Sequence, residues 1–251
     1  GGSLSLDSTY VSLKIAEATT IGYAYLGDGA VKAITSNDDV ATATATASGV
    51  KVEAVGAGTA HITVSSTTCT NYTTPSSVTI TVLVTSIDLS ECDISASDGT
   101  YVGTVFDAQI KVTMSNGVEL EELSSHALHY YDSAACANEI AADDVRDAGT
   151  YWVRAEAMSG GRSSGHTQAA RFTIEKAQLM AAYQGESISF GGTPAGRVVV
   201  TGFVGGETTD TAKGYVAPTL ALPETLCRAT NYQLAPSGGA ADNYTFVYQA
   251  G

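Results

Sequence analysis

Five groups of residues have types and spacings that would support chemistry. Gly161-Arg162-Ser163-Ser164-Gly165 fits the G-x-S-x-G nucleophile elbow in form. That elbow needs an apolar strand before the serine, a helix after it, and acid and histidine partners further along. Here strand-forming residues follow instead, and His166 is the one histidine downstream. The segment is therefore read as a hairpin tip. His126 and His129, with Asp132 nearby, have the composition of a metal site. On a strand, residues three apart face opposite sides, so the imidazoles would diverge, and only a helical turn would bring them onto one ion. Asp143, Asp144 and Asp147 offer carboxylate oxygens to calcium at a module junction. No twelve-residue loop pattern accompanies them, and a solvated acidic loop is the expectation.

The cysteines Cys69, Cys92, Cys136 and Cys227 show no C-x-x-C spacing, which argues against a zinc knuckle or a redox pair. Cys92 and Cys136 share a module and could pair in an oxidising compartment, but free buried thiols acting as small apolar residues are the favoured reading. Trp152 completes the set. Strand alternation sends Tyr151 inward and Trp152 outward, beside Arg154 and Glu156. An outward indole stacks on a sugar ring or on a partner's aromatic group. The competing reading buries it under a neighbouring module or a long loop. Tyr130 and Tyr131 read as core and flank. No catalytic residue, cofactor contact or metal ligand follows from these groups, and Trp152 is the candidate ligand contact.

The elements that would position these residues are set by a repeated pattern. Ala148-Gly149-Thr150-Tyr151-Trp152-Val153-Arg154-Ala155 has the form of Ala57-Gly58-Thr59-Ala60-His61-Ile62-Thr63-Val64: Ala-Gly-Thr, then alternation. A looser echo runs from Ala229 to Leu234, so the spacing is about 80 to 90 residues. In each full copy a bend feeds a strand with every second side chain available to a core (Ala60, Ile62, Val64; Tyr151, Val153, Ala155). Such recurrence marks tandem β-modules. With 251 residues, 26 glycines, 15% charged residues and many Val, Ile, Thr and Tyr, the chain suits strands and turns over helices. The prediction is all-β, as tandem modules.

The formal net charge of −14 is uneven, because residues 86–176 hold six cations against fifteen carboxylates. An acidic surface of this kind repels phosphate backbones and anionic headgroups, which argues against nucleic acid and membrane surfaces as partners. No signal peptide, spanning helix or sorting motif is present. Gly1-Gly2-Ser3 reads as a cloning remnant, and the chain as an excised piece of a longer protein. Along the chain, Asp28-Gly29 and Ser115-Asn116-Gly117 are hairpin signals. Glu119, Glu121 and Glu122 line a solvated face, His126 to Tyr131 is a strand, and Cys136 to Arg146 is a loop with one helical turn. Asn71-Tyr72-Thr73 and Asn243-Tyr244-Thr245 fit the glycosylation sequon.

Ser36-Asn37-Asp38-Asp39-Val40-Ala41, Gly49-Val50-Lys51-Val52, the run from Gly56 to Val64 and the closing strand at 78–84 together resemble the group 2 bacterial immunoglobulin-like domain across residues 4–85. Asp147 to Tyr151 with Phe172 to Ala177, then Thr201 to Thr208 with Asp242 to Gly251, are similar to the MBG-type repeats of bacterial surface proteins. The first resemblance implies a small Greek-key sandwich of the kind found in adhesins and in non-catalytic parts of secreted enzymes, and with it an all-β chain of tandem immunoglobulin-like or β-sandwich modules in an elongated array. The matching residues are turn glycines and core apolars, so no binding site comes with them. The second implies tandem β-rich spacers and adhesin segments in which a further strand follows the final glycine, so the last module would lack an edge strand.

The domains are expected as 1–85, 86–176 and 177–251, the last cut short at its C-terminus. Junctions at 84–88 and 175–178 have no flexible spacer, so a semi-rigid, elongated monomer is expected. The functional expectation is a non-enzymatic segment of a bacterial cell-surface protein, extracellular, without cofactors, whose partner is a host or cell-surface protein or a glycan. The alternative is a carbohydrate-binding accessory of a secreted glycan-degrading enzyme, with Trp152 as its platform. An enzyme is the third, since no acid/base or nucleophile constellation converges.

Overall fold

The structure is a computed structural model that describes residues 1–120, 126–159, 162–186, 189, 191–192, 196–222 and 233–251. Cys227, Gly161, Glu121, Glu122 and most of the echo at 229–234 lie outside the described residues. Among the described residues the chain is all-β with two short 3-10 turns, and it divides into two compact units. One holds Gly1–Asp93, Thr113–Ala127 and Ala155–Thr167; the other holds Ile94–Val112, Leu128–Arg154 and Gln168–Gly251.

The first unit contains strands β1 (Ser3–Leu6), β2 (Tyr10–Lys14), β3 (Ala18–Ile21), β4 (Tyr23–Leu26), β5 (Val31–Thr35), β6 (Ala41–Thr46), β7 (Gly49–Ala54), β8 (Gly58–Ser66) and β9 (Val78–Thr85). One sheet has the order β2-β9-β8-β5 and another β3-β7-β6, while β1 pairs with β4. Only Gly22 separates β3 from β4, so the pair reads as one interrupted strand that β1 flanks at one end and β7 at the other. A first strand that runs parallel to the last (β2 with β9) and two facing sheets of this order are the immunoglobulin-like sandwich plan. Alternation drives it: Ala60, Ile62 and Val64 on β8, Ile80 and Val82 on β9, and Val50 and Val52 on β7 are fully buried. The intervening His61, Thr59 and Lys51 face water.

Asp28-Gly29 is not a hairpin. The strands either side of it pair elsewhere, β4 with β1 and β5 with β8, so the turn is a crossover between sheets. Neither residue adopts the positive φ that a type I′ turn requires. The Asp28 carboxylate instead accepts the backbone N–H groups of Thr70 and Asn71, both at 2.9 Å, and the Asn71 side-chain amide at 2.7 Å. These bonds hold its pKa below the usual carboxylate value and fix the loop that precedes β9. Asn116-Gly117 does form a turn: Met114 N donates to Val118 O at 2.8 Å, with Gly117 at φ +86°.

Further along come β10 (Ile87–Asp88), β11 (Asp93–Ser95), β12 (Gly99–Thr100), β13 (Lys111–Thr113), β14 (His126–Tyr131), β15 (Glu139–Ile140), β16 (Gly149–Ala157), β17 (Ser163–Ser164), β18 (Ala170–Glu175), β19 (Ala177–Gly185), β20 (Gly196–Thr201), β21 (Thr219–Leu220), β22 (Pro236–Ser237) and β23 (Tyr244–Gln249). A five-stranded sheet runs β12-β18-β16-β14-β15, and a three-stranded one runs β20-β19-β23. The five-stranded sheet repeats the plan of β2-β9-β8-β5. A short strand lies parallel to the last one (β12 with β18), and the signature strand sits inside, antiparallel to that last strand. The two Ala-Gly-Thr strands, β8 and β16, therefore hold equivalent places in two sheets.

The second unit has one apolar core that runs from Tyr101 and Val153 through Phe172 and Ile174 to Ala177, Leu179 and Tyr244. Phe172 is its centre: Tyr151 stacks on it at 5.6 Å, Phe106 at 6.2 Å, and Tyr130 meets it edge-on at 6.3 Å. The sequence position 176/177 lies inside this core, with Ile174, Ala177 and Leu179 all buried. Backbones also meet directly. A Cβ added at Gly103 (φ +79°) would stand 2.7 Å from the Gly205 Cα, so both positions require glycine. At the C-terminus Gly251 exchanges two backbone hydrogen bonds with Leu234, at 3.1 and 3.2 Å, so the end of β23 has a neighbour on its second side.

Candidate functional site

The register of β16 against β18 settles which way Trp152 points. Tyr151 lies opposite Phe172 and Trp152 opposite Arg171. Since Tyr151 and Phe172 face the core, Trp152 and Arg171 share the outer face. Trp152 is half-buried and Arg171 exposed. Among the described residues no ring contact or hydrogen bond engages the Trp152 indole. Arg171 reaches only Thr173, whose hydroxyl accepts at 3.4 Å. Thr150 and Thr173 form the next cross-strand pair on the same face. Two residues along β16, Arg154 places its guanidinium 5.5 Å over the Tyr131 ring and donates to the Tyr131 hydroxyl at 3.3 Å. Tyr131 is buried on this face, and Tyr130 points to the core.

Asp147 and His129, two other residues with chemical potential, are held by structural partners. Asp147 accepts Lys213 Nζ at 2.6 Å and the Asn243 side-chain amide at 2.8 Å. Burial alone would raise its pKa, but these two donors pull it below the normal carboxylate value. Asn243 is buried, and its Oδ1 accepts the Ala148 N–H at 2.8 Å. Asp143 and Asp144 are exposed on a 3-10 turn, Ala142–Asp144. His126 and His129 lie on strand β14. His129 pairs with Glu139 at 2.6 Å, and burial pushes the His126 imidazole pKa down. Among the described residues no group of three metal-ligating side chains converges.

Ser163 and Ser164 form a two-residue strand parallel to Ile87–Asp88, and His166 bridges to Glu156, so no helix follows the serine. The strand–turn–helix context of a nucleophile elbow is absent from the described residues there. Cys69, Cys92 and Cys136 are free thiols. Cys92 is buried and its pKa is raised by that burial, whereas the Tyr25 hydroxyl 3.3 Å from Cys69 Sγ lowers the pKa of that thiol.

One polar cluster has no sequence signal at all. Glu207 accepts the hydroxyls of Tyr101, at 2.9 Å, and Tyr244, at 2.5 Å, and the Tyr244 oxygen accepts the Val204 N–H at 3.1 Å. Burial, and then the Glu207 charge, push both phenols up to about 12. The cluster joins distant segments of one core and leaves its carboxylate facing two donors. Its role is structural.

No protein-family model matches the sequence, and no curated protein does so either. Solved structures that match it include that of the Escherichia coli adhesin FdeC, described as broadly conserved and as eliciting protection against urinary tract infections. It is 11% identical, with TM-score 0.32, over 94% of this chain and 82% of that one. The D00-D0 domain of intimin is 12% identical, with TM-score 0.28, over 68% and 99%. A structure concerned with Dscam isoform specificity is 8% identical, with TM-score 0.24, over 98% and 73%. Superpositions this loose carry no argument about function. The strand order and register establish an all-β chain of immunoglobulin-like sandwich architecture.

Proposed function

We propose that the chain is a non-enzymatic binding segment of a bacterial cell-surface protein: adhesin-type β-sandwich modules that act outside the cell by presenting a surface. The observation that carries this reading is the twofold use of one sheet plan, with Ala-Gly-Thr strands at equivalent internal positions. Duplicated sandwich scaffolds supply rigid surface, and Asp28, Asp147 and Glu207 are engaged in holding the scaffold. The resemblances to group 2 bacterial immunoglobulin-like domains and MBG-type repeats support the same reading, as does a charge of −14, which disfavours nucleic acid and anionic membranes. No helix among the described residues is long and apolar enough to cross a membrane.

The test is adhesion itself. Beads coated with the purified chain should be retained on host-cell or bacterial surfaces in a saturable way and be competed by the soluble chain. Retention no greater than that of beads coated with an unrelated acidic sandwich domain would refute the proposal.

A further inference from the structure

We infer that the outer strip of β16 and β18 centred on Trp152 and Arg171 is a binding site for a carboxylated sugar ring, as in a uronic-acid residue of a surface polysaccharide. This rests on the adhesive reading and names the ligand of one surface within it. Trp152 is the chain's single tryptophan. It stands opposite Arg171 in the ladder, and directly opposed Cβ atoms lie about 4.5–5.5 Å apart. The half-buried indole offers a fixed apolar face and an unpartnered N–H among the described residues, the combination that stacks on a pyranose and bonds one hydroxyl. Arg171, exposed and bonded only weakly to Thr173, has donors left for a carboxylate, which a planar guanidinium binds in a two-point fork. Thr150 and Thr173, roughly 7 Å along the same face, add hydroxyls at sugar-ring spacing.

Local charge selects an acid over a neutral sugar. Arg171 stands beside the indole, and the nearer Asp98 carboxylate accepts the Thr173 N–H at 2.6 Å, whereas the strand carboxylates of that face, Glu156 and Glu175, are each four residues away along their own strands. At strand rise that is roughly 13 Å, beyond the ~8 Å screening length of physiological salt. A carboxylate at the indole therefore meets the Arg171 guanidinium first, while the chain's more distant negative charge is largely screened.

The experiment titrates the full chain with a galacturonate tetrasaccharide and with its carboxyl-reduced counterpart, using tryptophan fluorescence and calorimetry. The acidic sugar should perturb Trp152 and bind at least tenfold more tightly than the reduced one, a preference that 300 mM salt weakens on the order expected for screened charges. Arg171→Gln, an exposed change, should lose roughly tenfold or more for the acid and nothing for the reduced sugar. Trp152→Ala should abolish binding of both, with circular dichroism confirming the fold. Equal affinity for the two sugars, an unchanged Arg171→Gln affinity, or equal binding of a glutamate peptide of matched charge would overturn the assignment. Undiminished bead adhesion by Arg171→Gln and Trp152→Ala chains would sink this site and leave the adhesive reading standing. Absence of adhesion by the wild-type chain would sink that reading itself.

Discussion

Replacing Glu207 with Gln tests whether the buried tyrosine pair makes distant segments of the second unit unfold together. Glu207 accepts two phenol hydroxyls, from Tyr101 and Tyr244, and the Tyr244 oxygen already accepts a backbone N–H. A glutamine keeps one acceptor oxygen and turns an amide donor toward the other phenol, so one charge-assisted bond becomes neutral and the second becomes a mismatch. Net hydrogen bonds to charged groups are worth about 1.5–3 kcal/mol, and the expected loss is about 2 kcal/mol. Tyr101→Phe, which removes one donor and leaves the carboxylate with Tyr244, should cost about 1 kcal/mol. The double variant should show a coupling of about 1 kcal/mol, since the pair shares one bond. The assay is urea unfolding followed by the single tryptophan. Trp152 is on β16, far in sequence from Glu207, so its signal reports whether residues 94–112 and 128–154 melt as one body with 168–251. The Glu207→Gln transition midpoint should fall with an unchanged m-value. If the Trp152 transition does not move while tyrosine signals do, the two segments unfold independently and the shared core is not cooperative.

Three further outcomes follow from the geometry. Gly103→Ala, which forces a Cβ against the Gly205 backbone at φ +79°, should destabilise by about 2–4 kcal/mol, whereas Gly117→Ala, with nothing within 4 Å, should cost about 1 kcal/mol; thermal melts of the two variants compare them. The phenols of Tyr101 and Tyr244 are raised from 10.0 to about 12, so their contribution is complete below pH 10 and is lost as pH climbs from 10 toward 12; an alkaline unfolding limb that Tyr101→Phe leaves unchanged would contradict it. With Ellman's reagent at neutral pH, Cys69 should react well before Cys92, and Tyr25→Phe should slow Cys69 specifically, because the phenol that lowers the pKa of that thiol is gone.

Period-two alternation made the strands legible. The inward sets Ala60, Ile62, Val64 and Val153, Ala155 were readable because burial on one sheet face imposes that period, and their core positions are fully buried. Trp152's outward direction followed from the same rule. Its partner Arg171 did not, because register between strands is set by pairing that a single strand's pattern does not contain. Asp28-Gly29 misled for a related reason: the dipeptide permits a hairpin, but the carboxylate is used by the loop at 70–71, and a sheet-to-sheet crossover results. Glu207 with Tyr101 and Tyr244 was invisible, since three residues scattered over 144 positions have no local signature. The core running through 176/177 is of the same kind, an outcome of packing between distant segments.

The parallel pairing of the first sheet strand with the last has a mechanical meaning. In the first unit, Tyr10–Lys14 runs beside Thr81–Thr85 in the same direction, and Ala177–Ala182 runs beside Tyr244–Gln249 in the same way. Tension applied through the two ends of such a segment slides the paired strands past each other along their length. Every rung of the ladder is then loaded at once, instead of one rung after another as when a hairpin is unzipped. A tether under drag would yield late and abruptly, and the strand entering the sandwich and the strand leaving it would act as its clasp.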